Sequence, residues 1–471
     1  MADRRPNILF IMSDDHAAHA MSCYGSRINR TPNLDRIADG GVRLDRCFCT
    51  NSICTPSRAT ILSGTYNHVN GVTTLDTPMD NRLPTFPKML QEAGYQTAVF
   101  GKWHLGEGAA HCPTGFDDWA VLPGQGFYHN PEFIFPGPDG GTRRTVPGYV
   151  TDRITDLSMD WLRARDRDRP FCLLTHHKAP HRPWYSDERH AGMFLDGDVP
   201  EPETLQDDYA GRAAAAAAAS MRVGVHMTPT DLKAEIPEGM PEADLRRWAY
   251  QRYIKDYLRV VASIDDNVGR VLDLLDAEAL AGNTLVVYTS DQGFFLGDHG
   301  WYDKRFMYEE SLRMPFIARF PREIPAGSVN RDMVLNLDFA PLFLDLAGVP
   351  VPEAFQGRSF RPLLRGETVP DWRQALYYRY WMHGAHHNVC AHYGIRTRRH
   401  KLIFYYGDGL GQAGAAAPAV PPEWELFDLE RDPAEMQNVV NDPAYAAVRR
   451  ELTDELHRLQ REVGDQPFPV C

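Results

Sequence analysis

The stretch NSICTPSRATILSG, residues 51–64, sets a thiol, Cys54, just ahead of Pro56, Ser57 and Arg58. Proline is well placed in a helix's first turn, where its missing N–H costs nothing, so the spacing predicts a helix that begins at Cys54. Such a terminus gathers unpaired backbone N–H groups and the positive end of the macrodipole, and it favours an anion. Arg58 lies one turn further on the same face, where its guanidinium can reach whatever Cys54 touches. A cysteine before a helix is ordinarily only a small hydrophobe, but other reactive groups punctuate the chain: Asp14 and Asp15, Lys102 and His104, His176 to His181, and Asp291 with Gln292. The three aspartates and the amide are hard oxygen donors, suited to calcium or magnesium rather than zinc. A soft thiolate is a poor partner for such an ion. The mismatch disappears if Cys54 is converted to an oxygen nucleophile.

Each of these groups needs an element to hold it. Apolar runs at 8–12, 97–100, 171–174, 285–288 and 316–320 read as buried strands. Helical patterns separate them, most clearly over 253–275, where Leu258, Val261, Ile264, Val268, Val271 and Leu275 recur at steps of three and four. Strands alternating with helices predict an α/β fold, a large mostly parallel or mixed sheet sandwiched by helices. In such sheets chemistry collects at the carboxyl ends of strands, and four of the runs end in a polar cluster. From about residue 371 the texture changes to four short alternating segments and a helix around 446–461, predicting a small antiparallel sheet with a packing helix. The expected division is a catalytic domain at 1–370 and a C-terminal subdomain at 371–471. Residues 407–422 read as a flexible surface loop and 213–219 as an exposed alanine-rich helix.

The chain has 471 residues and a net charge of −13. That charge argues against nucleic acid or an anionic membrane as partner, so an anionic substrate must be drawn by a local cluster of cations. The apolar run at 8–12 is too short for a signal segment and no stretch reaches the length of a membrane span. The expectation is a soluble, cytoplasmic protein, periplasmic or secreted if a leader has been removed. Cys23, Cys47, Cys49, Cys54, Cys112, Cys172, Cys390 and Cys471 show neither a paired metal-ligand spacing nor a compact disulfide framework, so reduced thiols are expected.

CTPSR resembles the C-x-P-S-R signature of the type I sulfatases of the alkaline phosphatase superfamily, in which the cysteine is oxidised to formylglycine. NILFIMSDDH, GKWHLG, KAPHRPW, TSDQGFFLGDHGWYDKR and WELFDLERDPAEMQN look like further segments of that family, in its order. The resemblance implies an alkaline phosphatase-like fold and a formylglycine gem-diol as nucleophile at Cys54. It assigns Asp14, Asp15, Asp291 and Gln292 to a divalent metal, calcium with magnesium as the alternative. Gln292 departs from the family, where Asn or His is common. Arg58 and Lys102 would steady nucleophile and sulfate, His104 would orient the gem-diol and help expel sulfate, and His181 and Lys304 would face the bridging oxygen. A formylglycine-generating enzyme is implied as a partner in maturation.

The expected function is hydrolysis of a sugar or alkyl sulfate, most like the N-acetylglucosamine-6-sulfatase and mucin-desulfating members. Phosphonate monoester or phosphodiester hydrolysis is the alternative, and a non-catalytic binder of sulfated glycan is the alternative if Cys54 is not matured. His299, and His386, His387 and Arg396 in or beside the histidine-rich segment WMHGAHHNVCAHYGIRT, are candidate contacts to the sugar.

Overall fold

The computed structural model describes residues 5–469. Ten strands form one mixed sheet: β1 Asn7–Ser13, β2 Val42–Leu44, β3 Gln96–Lys102, β4 Asp118–Leu122, β5 Glu132–Phe135, β6 Thr142–Thr145, β7 Phe171–His176, β8 Thr284–Ser290, β9 Phe316–Arg319 and β10 Ser328–Asn330. Their spatial order is β10, β2, β9, β8, β1, β7, β3, β4, β5, β6. The centre, from β8 to β4, is parallel. Strand β9 runs back against β8, and β5 and β6 close the other edge antiparallel. Every residue of β1, β3, β7 and β8 is buried, which is what continuous apolar runs covered on both faces require.

Three helices matter for the site: α1 Cys54–Ser63, α2 Val150–Ala164 and α3 Glu242–Ala277. The apolar stripe from Leu258 to Leu275 on α3 is buried. The helix starts well before that stripe, because Pro241 precedes it and Glu242 and Asp244 occupy a first turn that favours negative charge. Helix α1 is unusual in having no solvent face: all ten of its residues are buried.

The C-terminal segments form an antiparallel meander, β11 Ala375–Tyr380, β12 His392–Thr397, β13 His400–Tyr405 and β14 Glu423–Asp428, with α4 Ala446–Val463 packed on it. Two loops differ from expectation. Residues 407–422 are not a free surface loop: Gln412 accepts from Thr73 Oγ1 at 2.5 Å, which ties the loop to the large sheet's part of the chain, and Ala416 N donates to the His383 carbonyl at 3.0 Å within the C-terminal part. The alanine run makes only a short helix, Ala214–Ala218, with Ala215 and Ala216 buried rather than exposed. Five residues cannot hold a helix unaided; the Glu425 and Glu423 carboxylates accept from the N–H groups of Ala213 and Ala214.

The seven described cysteines are free, as expected; Cys471 lies outside the described residues. Among the described residues no helix is long and apolar enough to cross a membrane.

One glycine fixes the path into the site. Gly101, between Phe100 and Lys102 on β3, has φ +108°, and a Cβ there would stand 1.9 Å from the His176 carbonyl oxygen on β7. Gly101→Ala is therefore expected to destabilise the protein by roughly 2 to 5 kcal/mol, from the strained φ and the overlap together. Urea unfolding of variant and wild type checks this.

Candidate active site

Three carboxylates meet where β1 and β8 end side by side. Ser13 pairs with Ser290 in register, so Asp14 and Asp15 leave one strand beside Asp291 and Gln292 leaving the next. Asp14, Asp15 and Asp291 are buried, and each offers an oxygen within 4.8 Å of the other two. Each also has its own cation: Lys102 Nζ donates to Asp14, Lys304 Nζ to Asp15 at 2.7 Å, and Arg58 Nε to Asp291 at 2.9 Å.

These cations do not balance the cluster. Burial, with the charge of Asp14 added, pushes Asp291 up to about 7 despite Arg58. Burial likewise pushes Asp15 up to about 6, against Lys304. Burial acts on Asp14 too, but the positive charges of Lys102, Arg58 and Lys304 outweigh it and hold that carboxyl well below the usual range. Acids this close resist ionising together unless more positive charge is supplied. Two acceptors, Asp14 Oδ1 and Gln292 Oε1, are buried without a hydrogen-bond partner; the Gln292 amide N–H donates to Asp15 and leaves its oxygen free. Orphaned oxygens beside mutually repelling carboxylates fit a hard divalent cation.

Cys54 opens α1 at 1% exposure, and its Sγ lies within 4.8 Å of oxygen and nitrogen ligand atoms of Asp14 and His181. Burial pushes the thiol up to about 11, with Lys102 and Lys304 offsetting only part of that. The helix N-terminus thus does not yield a thiolate; as cysteine the residue is protonated. Its position is bolted to β8 by Ser57, whose hydroxyl donates to the Asp291 carbonyl and accepts from Asn336 Nδ2 at 2.9 Å. From below, Tyr378 on β11 accepts from Ser52 N at 3.0 Å and donates to the Arg305 carbonyl at 2.6 Å. Arg58 Nη2 is buried, without an acceptor, 4.0 Å from Asp14. A spare guanidinium N–H in such a place fits an anionic ligand.

Two histidines flank this centre. The His104 ring is held well below its usual value by burial and then by Lys102; its backbone is at φ +56°, and Thr55 Oγ1 donates to its carbonyl at 2.9 Å. His181 is likewise held neutral, by burial first and Lys102 next. Its Nδ1 lies 2.8 Å from the Arg182 carbonyl, so Nδ1 carries the proton and Nε2, 3.9 Å from Asp15, is the free acceptor.

Four groups joining the site escaped the sequence reading. Gln125 accepts from Lys102 Nζ. Lys178 is buried without a carboxylate, its Nζ 4.8 Å from the Tyr128 ring centre, and burial, then Lys102, lowers it to about 7. Asp303 and Arg305 bracket Lys304, with Arg305 at φ +93° and its Nη1 3.4 Å from the Tyr380 hydroxyl. Lys178 lies within KAPHRPW, and Asp303 and Arg305 lie within TSDQGFFLGDHGWYDKR; only their burial marks them.

The sugar contacts divide. His387 lies at the site, with Nε2 3.0 Å from Asp303, and the exposed His386 adjoins it in the field of Arg305 and Asp76. His299 does not reach the substrate face: it is 0% exposed, between Asp207 at 3.4 Å and Glu310 at 3.5 Å, packed on Trp301 and Tyr308. Arg396 is also elsewhere, paired with Glu309 at 3.0 Å over the Phe48 ring. It sits at the far end of β12, which carries it away from the histidine loop.

The chain matches the family profile described as Sulfatase over residues 6–349 and that described as N-sulphoglucosamine sulphohydrolase, C-terminal, over 297–462. It is 43% identical to an N-acetylglucosamine-6-O-sulfatase of Bacteroides thetaiotaomicron, over 98% of this chain and 87% of that protein. With an arylsulfatase of Clostridium perfringens the identity is 27%, over 94% and 91%. A solved protein in complex with its substrate, D-glucosamine-2-N,6-O-disulfate, aligns with a TM-score of 0.89 at 42% identity over 98% of both chains. A phosphonate monoester hydrolase of Agrobacterium radiobacter aligns at 0.76 with 22% identity, over 98% of this chain and 96% of that one, a likeness of fold alone.

His299 yields a stability prediction. Burial would lower its ring, but the carboxylates of Asp207 at 3.4 Å and Glu310 at 3.5 Å, against the charge of Arg212, reverse that and raise it to about 9. A histidine raised in the folded state stabilises fully below its unfolded pKa, about 6.5, and loses that contribution as pH climbs through the folded value. Unfolding free energy is expected to fall by on the order of 3 kcal/mol between about pH 6.5 and 9.5. His299→Gln should flatten that slope in pH-resolved urea titrations.

Proposed function

The chain belongs to the sulfatase family and is a sulfuric ester hydrolase, and we propose that its substrate is a 6-sulfated N-acetylglucosamine or glucosamine sugar. The near end-to-end likeness to a protein named for that reaction carries the proposal, and the likeness to a complex with a 6-O-sulfated glucosamine supports it. The family implies a divalent metal and a formylglycine. Asp14, Asp15, Asp291 and Gln292 would hold the metal, with four protein oxygens leaning toward calcium. When bound, the ion supplies Lewis acidity and the positive charge that the cluster lacks. Formylglycine at residue 54 supplies an oxygen nucleophile in place of the thiol.

This chain's own side chains do the rest. Cleavage of a sulfate ester concentrates negative charge on the nonbridging and leaving oxygens, and fixed cations in a dry pocket are the main stabiliser, each donor worth about 3 to 4 kcal/mol. Arg58 Nη2, buried and uncommitted, is positioned to bind a nonbridging oxygen. Lys102 and Lys304, each tied to one metal-site carboxylate, cannot swing away. His104, neutral in its strained turn, accepts a proton from the nucleophilic residue. His181 Nε2 and Lys304 face the leaving oxygen. His181 has a neutral ring at rest, so it donates only after taking a proton in the complex, where the sulfate's charge offsets that of Lys102 and Lys304. Asp303, Arg305, His386 and His387 line the approach and hydrogen-bond sugar hydroxyls.

The test pairs an intact mass of the peptide containing Cys54 with a sulfate-release screen over monosaccharide sulfates. The expected result is conversion of residue 54 in step with activity, and the highest kcat/KM on a glucosamine-type 6-sulfate. Full activity with an intact thiol would sink the nucleophile, and a higher kcat/KM for a phosphonate monoester or phosphodiester would replace the substrate class. His387→Ala should lower kcat/KM for the sugar sulfate by roughly 1 to 3 kcal/mol of transition-state binding, while a small aryl sulfate, lacking the contacted hydroxyls, is nearly unaffected.

A further inference from the structure

A cavity of about 360 Å³ away from the carboxylate cluster is lined by Arg43, Arg46, Arg313, Arg331 and Arg396, against only two acids, Asp45 and Glu309. In a chain of net charge −13 this concentration of guanidinium groups is unexpected. The two carboxylates are already shared. Asp45 pairs with Arg43 at 2.8 Å and Arg331 at 3.3 Å, and Glu309 with Arg396 at 3.0 Å and Lys401 at 3.0 Å. Arg46 is left with one backbone carbonyl, of Arg331, at 3.2 Å, and burial together with the like charges of Arg396 and Arg398 disfavours its charge. Among the described residues the Arg313 guanidinium has neither a hydrogen bond nor an ion pair. Two half-buried guanidinium groups without a carboxylate, facing one cavity, are a cost that an oxyanion would remove, because each can donate two parallel N–H bonds to it.

The cavity's place in the sheet is informative. Phe316 on β9 pairs with Thr289 near the end of β8, and Ile317 with Arg43 on β2. Arg313, Asp45 and Arg46 therefore lie at the same end of the sheet as Asp14 and Asp291. Three strand steps separate β1 from β2, roughly 14 Å at the usual interstrand spacing. A second cavity, of about 420 Å³, shares Glu309, Arg313 and Arg396 with the first and extends to His19 and Asp298, the former on the loop that follows Asp15.

We propose that this arginine cavity is a second anion site, which takes a sulfate group, with Arg46 and Arg313 as its principal donors. The group is either free sulfate, the product of every turnover, or a further sulfate on the same glycan; both present the same tetrahedral oxyanion. The site is independent of which sugar is hydrolysed.

The test is equilibrium binding of inorganic sulfate to the intact protein and to the Arg46→Gln/Arg313→Gln double variant. Turnover of a monosulfated monosaccharide and its inhibition by sulfate read the catalytic site, and both are expected to stay within about twofold, which also reports folding. Wild type should bind two sulfates per chain and the double variant one, with Arg46→Lys/Arg313→Lys recovering the second site at reduced affinity. One sulfate per chain in the wild type, or two in the double glutamine variant at unchanged affinity, overturns the proposal. A second arm names the source when the site is confirmed: a KM for a polysulfated tetrasaccharide raised at least threefold in the glutamine variant, with the monosaccharide unchanged, assigns it to the glycan, and equal KM values assign it to the free anion.

Discussion

Keeping three carboxylates in one buried corner is the constraint on which the rest depends. Asp14, Asp15 and Asp291 are each answered by a different cation, and those cations come from β3, from α1 and from the segment after β8. The ion pairs therefore tie together parts of the chain that are distant in sequence. Removing one member of such a pair strands the other without solvent, which typically costs 3–5 kcal/mol. The cluster remains under-compensated even with all three pairs in place. The orphaned Asp14 and Gln292 oxygens are where the surplus is expressed. A site built this way is held rigid by what it lacks as well as by what it contains.

The C-terminal meander takes part in that rigidity. Tyr378 reaches from β11 to the backbone of Ser52, just before Cys54, and to the Arg305 carbonyl, just after Lys304. One phenol thereby fixes the spacing between the loop that leads into Cys54 and the loop that carries Lys304. The segment 407–422, tied to Thr73, and His387, paired with Asp303, complete the same seam, so the histidine loop and the carboxylate cluster meet at one interface.

What was legible in the sequence was whatever local pattern encodes. Apolar runs ending in acids marked β1 and β8, the proline in CTPSR marked the start of α1, and the alternating tyrosine-rich segments marked the meander. Residue type also identified the hard-donor set. What was not legible depends on partners far along the chain. His299 looks like a ligand beside Asp298 and Gly300, but Asp207, some ninety positions earlier, turns it inward. Arg396 shares a strand with the histidine loop, yet antiparallel pairing puts it at the opposite end, against Glu309. Lys178 carries no distinguishing spacing at all, and only its burial beside Tyr128 separates it from an ordinary lysine.

The locked pairs also determine how far the site can be felt. Lys102, Lys304 and Arg58 are each neutralised over distance by a buried acid, so their attraction is confined to contact range. In dilute salt, where the screening length exceeds the about 10 Å of 0.1 M salt, an incoming anionic ester senses the net charge of −13. Capture then depends on ionic strength and grip hardly does: added salt quiets the repulsion that slows approach and scarcely touches an enclosed pocket. For this molecule a dilute medium is the less hospitable one, the reverse of an enzyme that draws its anionic substrate in from afar.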